Sequence, residues 1–246
     1  MPVQPDPSFL LESLDIAVPP TGFYDAPDPG AFEPLVRPKG GTGRGPCVFA
    51  YFEKWRQGMT LHLPKDDFRC CGGAARSLSR LQTRPRDEFL HFLAVEEGLK
   101  VSEELMGEWV DANPGYLQEH PHVLIGPLKP RLYDWLRTVT FWVNADQMST
   151  LTLGAQYHAK LSDPPPVIAR FGAGCGQMVS VFDDLSAAQA QIGTTDIAMR
   201  EWVPPDLLAL TVTRPLFERL CGFDETSYLG KPFLQRLKKA RGGRLA

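Results

Sequence analysis

The feature that most constrains this chain is a strand-like run that passes directly into a capped helix. Thr138 to Val143 is rich in β-branched and aromatic residues, the composition of a strand. Asn144 follows at once and suits an N-cap, because its side-chain oxygen can accept from the free N–H groups of a helix running from Ala145 to about Ala159. A second such step falls at 207–221, where Leu208 to Val212 reads as a strand and Pro215 to Leu220 as a helix. Further strands are expected at Gly22–Tyr24, Thr60–Leu63, His122–Leu128 and Ala188–Ile192. Helices are expected at Phe9–Leu14, Val48–Arg56, Ala74–Leu81, Glu88–Gly98 and Ser102–Ala112. Gly172–Gly176 opens a further helix or tight turn running through Phe182. The pattern predicts a mixed α/β (α+β) fold: a single domain with a mixed sheet flanked by helices.

The expected organisation has three parts. Residues 1–45 form a Pro/Gly-rich N-terminal segment partly packed on the domain, 46–230 the domain itself, and 231–246 a basic, solvated C-terminal tail. Arg37 to Pro46 (RPKGGTGRGP) reads as a mobile loop, and it lacks the Gly-Lys-Ser/Thr of a phosphate-binding loop.

At 246 residues, with 43% hydrophobic and 22% charged, the chain can bury a large core without disulfides. Its formal net charge of -3 argues against bulk electrostatic binding of nucleic acid. No apolar run reaches the roughly 20 residues of a membrane span. Met1 to Ser8 lacks the basic region and apolar core of a secretion signal. The five cysteines are an odd, scattered set, so reduced thiols in the cytoplasm are expected.

Those cysteines carry the chemistry. In Cys70-Cys71-Gly72-Gly73 a thiol precedes two glycines and a helix start, where free N–H groups and the positive end of the helix dipole stabilise a thiolate. Cys175 repeats the arrangement within Gly172-Ala173-Gly174-Cys175-Gly176, and Cys47 opens a helix after Pro46. The expected ligand- or cofactor-contacting set is Cys47, Cys71, Gly72, Gly73, Gly174, Cys175, Gly193 and Thr194. Candidate catalytic residues are Cys71 or Cys175 as nucleophile, with His158 as base. His62, His91, His120 and His122 are not singled out by spacing. No Cys-x-x-Cys or His-x-x-x-His pair is present, so no metal site is assigned; three distant cysteines could still converge on an iron–sulfur or other thiolate centre. Gly172–Gly176 does not have the dinucleotide-binding Gly-x-Gly-x-x-Gly spacing. Phe49, Tyr51, Phe52, Trp55, Phe141 and Trp142 read as core, or as the wall of a flat-cofactor pocket.

Several segments taken in order are CCGGAARSL (70–78), IGPLKP (125–130), VTFWVNADQMSTLTLGAQYH (139–158), FGAGCGQMVS (171–180) and WVPPDLLALTVTRPLFERL (202–220). Together they resemble the uncharacterised bacterial and archaeal family called domain of unknown function 169, over most of the chain. The resemblance implies a cytoplasmic mixed α/β protein and no known activity. It also implies cysteines at four places. Cys47 matches the first, Cys70 or Cys71 the second and Cys175 the third, while Thr194 stands at the fourth, so a four-cysteine metal site is not inherited whole.

Three functions follow as expectations. The first is a protein binding a small molecule or cofactor, of unknown identity, in a pocket lined by cysteines and glycine turns. The second is a thiol-dependent enzyme using Cys71 or Cys175. The third is a structural or interaction protein without a ligand. Neither nucleic acid nor membrane is an expected partner, and the oligomeric state is open.

Overall fold

A computed structural model describes residues 5–245. Met1–Gln4, at the start of the expected N-terminal segment, and Ala246, at the end of the expected tail, lie outside the described residues.

The chain opens with helix α1 (Ser8–Ser13), then strands β1 (Thr21–Ala26) and β2 (Leu35–Val36), helix α2 (Phe52–Arg56) and strand β3 (Thr60–Pro64). Helices α3 (Gly72–Ser79), α4 (Arg86–His91) and α5 (Glu103–Ala112) follow. Strand β4 (His122–Pro127) leads to the two strand-to-helix steps. The first is β5 (Leu136–Val143) into α6 (Ala145–Gln156); after the short strands β6 (Val167–Ile168) and β7 (Ala190–Ile192), the second is β8 (Leu208–Thr213) into α7 (Arg214–Cys221). Helix α8 (Pro232–Ala240) closes the described chain.

All eight strands join one sheet in the order β2-β3-β4-β1-β5-β8-β7-β6. The pairs at the two ends, β2–β3 and β6–β7, are parallel; those between them are antiparallel. The sheet is therefore mixed and flanked by helices, as the sequence pattern predicts. Asn144 caps α6 through a complete capping box: its side chain accepts from the Gln147 N–H at 3.0 Å, and the Gln147 side chain accepts from the Asn144 N–H at 3.0 Å.

Alternation along the strands sends side chains to two separate cores. Tyr24, Val139, Phe141, Val143, Leu210 and Val212 face one side, packed with residues of α1, α6, α7 and α8. Phe23, Leu61, Leu63, Ile125, Trp142 and Ala209 face the other, under residues of α2, α3 and the turn at 48–51. Phe52 and Trp142 meet edge to face with ring centroids 4.8 Å apart, and the Trp142 indole donates to the Thr21 hydroxyl at 2.9 Å. A small third cluster of Ala94, Met106 and Val110 holds α4 and α5 together as a flap.

Several expectations are corrected. The expected helix Glu88–Gly98 is α4 followed by a π-helical turn, Phe92–Glu96. The expected run through Phe182 contains only a 3-10 turn, Gly176–Met178. The loop 37–46 is anchored: Gly45 donates to the Cys70 carbonyl at 3.1 Å, and a Cβ on Gly45 would lie 2.8 Å from the Cys70 Cα, a contact only glycine permits. The basic C-terminal segment, expected as a solvated tail, instead forms α8. Leu234 and Leu245 are buried because they complete the first core, while Lys238 pairs with Asp15 and Arg241 with Asp146.

Candidate thiol-lined cavity

Helix α3 starts at the edge of the second core, and Cys71 is its N-cap with extended backbone dihedrals. Gly72 and Gly73 are the first two helical residues, and neither has a positive φ. They differ in role: a Cβ on Gly72 would lie 2.9 Å from the Thr83 Oγ1, whereas the only neighbour a Cβ on Gly73 would meet within 4 Å is the Ala173 Cβ, at 3.9 Å. Gly174 serves close packing instead, since its Cβ would lie 2.7 Å from the Met199 Cγ and 3.1 Å from Phe49. The Gly174 N–H donates to the Asp196 carboxylate at 2.9 Å, which fixes the loop carrying Cys175.

These turns border one open cavity of about 420 Å³. Cys47, Cys71 and Cys175 all line it, together with Gly72, Gly73 and Gly174. Its outer wall is aromatic: Trp109 of α5 meets Phe171 edge to face with centroids 5.0 Å apart, and Phe89 and Phe92 of the flap complete it. Glu97, Asp196, Arg76 and Arg84 supply the charges.

The thiols are not equivalent. Cys71 is drawn below the ordinary thiol range, first by the Cys47 thiol acting as a hydrogen-bond donor and then by the N–H groups of Ala74 and Gly73, against the opposing effect of burial. Cys47 is correspondingly pushed up by its bond to Cys71 and by burial. The pair thus shares its charge, with Cys71 ionising first. Burial, then the neighbouring Cys71, raises Cys175. Cys70 lies fully inside the second core and donates to the Cys71 carbonyl at 3.3 Å, so Cys71 alone of the adjacent pair reaches the cavity. At the rim, burial and the Asp196 charge push the Glu97 carboxyl up.

The other expected residues fall elsewhere. His158 follows α6 and stacks on Phe223 with centroids 5.8 Å apart, beside the first core; it does not line the cavity. No other histidine lines it either. His62 and His122 form a pair with ring nitrogens 3.2 Å apart, and His91 meets Glu103 at 2.8 Å. Gly193 and Thr194 also miss the cavity, which takes the next residues, Thr195 and Asp196. The Thr194 hydroxyl is consumed by the backbone where β7 ends beside β8, donating to the Gly193 carbonyl at 2.6 Å and accepting from the Ala209 N–H at 3.2 Å. Its φ of 61° is a strained conformation for a β-branched residue.

Among the described residues, the one group of three metal-ligand side chains within 4.8 Å of one another is Asp25, Glu119 and His120. The three cavity thiols are more widely spaced than that. Asp25 is buried and already accepts from the Tyr116 hydroxyl and the N–H groups of Glu119 and His120, so its oxygens brace the loop before β4.

The fold is that of a mixed α/β domain, with an open cavity beside its second core that Cys47, Cys71 and Cys175 help to line. The profile of domain of unknown function 169, described as "Uncharacterised ArCR", matches residues 33–222, and the chain belongs to that family. No curated protein and no solved structure matches it.

Proposed function

We propose that this protein binds a small molecule in the cavity between α3, the flap and the Gly172–Cys175 loop, against Cys47, Cys71 and Cys175. One observation carries the reading: three cysteines far apart in sequence line the same cavity of about 420 Å³, a volume suited to a small organic ligand or cofactor. The apolar wall supplies area, and the thiols and carboxylates supply a few oriented polar contacts. Reduced thiols suit the cytoplasm, which is the compartment proposed; among the described residues no helix is long and apolar enough to cross a membrane. Native mass spectrometry, metal analysis and an absorption spectrum of chain isolated anaerobically test the reading. Wild type should retain a bound species that Gly73→Leu, which projects a bulky side chain into the cavity, loses. Wild type isolated empty, with Cys71 alkylated no differently than in the urea-unfolded chain, contradicts it.

A second reading, a thiol-dependent enzyme, is favoured by the state of Cys71 at the start of α3. Its thiolate is supported by Cys47 and by backbone N–H groups, so no histidine base is needed to ionise it. Cys175, raised by burial, is the poorer nucleophile and the better wall.

A further inference from the structure

A second depression of about 250 Å³ adjoins the thiol cavity, and the two share Gly72, Arg76, Arg84 and Phe89 as lining. Four arginines border it, Arg76, Arg80, Arg84 and Arg86, against one carboxylate, Asp111. This cluster is cationic in a chain whose formal net charge is -3. Asp111 is already engaged, in an ion pair with Arg86 at 2.7 Å. Among the described residues Arg84 has no ion pair, and its guanidinium lies over Phe92 at 4.5 Å from the ring centroid. Arg76 is half-buried between Phe89 and Trp109, at 5.7 and 5.9 Å from their ring centroids. Its one hydrogen bond among the described residues goes to the Val110 carbonyl at 2.5 Å. A guanidinium offers five N–H donors in a fork matched to an oxyanion, so most of the capacity of Arg76 is unspent. Burial first and then the nearby Arg86 charge weaken its hold on its own proton, only partly offset by Asp111.

We infer that the ligand of the thiol cavity is an amphipathic anion: its carboxylate, phosphate or sulfonate group sits among Arg76, Arg80 and Arg84, and its apolar body runs between Phe89, Trp109 and Phe171 toward Cys71. This rests on the cavity reading above and adds the ligand's charge and orientation. Two carboxylates, Glu97 and Asp196, also line the thiol cavity and repel an anion there, so the charged group seats among the arginines and the uncharged end lies toward the thiols.

Paired alkylation tests the inference, with iodoacetate as the anionic probe and iodoacetamide as its neutral counterpart, each followed at Cys71 by peptide mass spectrometry. The ratio of the two rates in the native chain, divided by the same ratio in urea-unfolded chain, should be raised about tenfold by the arginine field. Arg84→Gln should lower that enrichment about threefold, whereas Lys54→Gln on α2 should leave it unchanged. Equal ratios in native and unfolded chain overturn the anion inference while the cavity reading stands, provided Cys71 still reacts with iodoacetamide. An enrichment that Arg84→Gln leaves intact also overturns it. A native Cys71 inert to both reagents overturns the cavity reading, and the inference with it.

Discussion

Cys71 and Cys70 are neighbours in sequence and opposites in chemistry. The turn into α3 sends one thiol to the core and leaves the other at the helix N-terminus beside Cys47. Because Cys47 contributes most to lowering the Cys71 pKa, the iodoacetamide rate at Cys71 should reach half its plateau at a pH below that of a free thiol. Cys47→Ala should move that midpoint upward; a midpoint at the free-thiol value in wild type contradicts the pairing. The glycines divide in the same way. Gly174→Ala forces a methyl against Met199 and Phe49 and should cost about 1–3 kcal/mol in denaturant unfolding. Gly73→Ala meets no obstacle and should leave stability unchanged or raise it by up to about 1 kcal/mol, yet slow the labelling of Cys71 because the added methyl enters the cavity.

Elements with strong local signals were legible in the sequence. Asn144 announces α6 because a cap is a local event: its side chain and Gln147 complete the box within four residues. Asn144→Ala should lower unfolding free energy by about 1 kcal/mol. The three cysteines that line the cavity stand out along the chain for a similar reason, each at a glycine turn or helix start. The aromatic wall does not. Phe89, Trp109 and Phe171 look like core residues along the chain, and only the folding of α4 and α5 over the Gly172–Cys175 loop turns them toward a cavity. Gly193 and Thr194 misled in the opposite sense, since a polar turn cannot announce that its hydroxyl will be spent on the next strand. The segment after 231 failed on composition: its lysines and arginines suggested solvent, whereas Leu234 and Leu245 fix it to the first core. Leu234→Ala should cost about 2–5 kcal/mol, far more than a solvated tail would allow.

Across the whole molecule the sheet separates two tasks. The core beneath α6, α7 and α8 gives a rigid back, and the opposite core carries the cavity at its margin. The His62–His122 pair on the sheet, with His62 buried and His122 half-buried, ties stability to pH. Burial first, then the charges of His122 and Arg37, lower the His62 pKa from 6.5 to about 4. Between those values the unfolded chain binds more protons than the folded one, so stability rises with pH there and is lost as pH falls through 6.5 toward 4. Tm should drop across that window, and His62→Gln should flatten the drop; an unchanged slope assigns the proton uptake to other groups.

The arrangement of the thiols is tested most directly by titrating the native chain with phenylarsine oxide, whose arsenic bridges two thiols only when they lie side by side. The cavity geometry predicts one arsenical per chain, bound in Cys70→Ala and Cys221→Ser and lost in both Cys47→Ser and Cys71→Ser. A native chain that binds none, or that binds equally well without Cys47 and without Cys71, would contradict it.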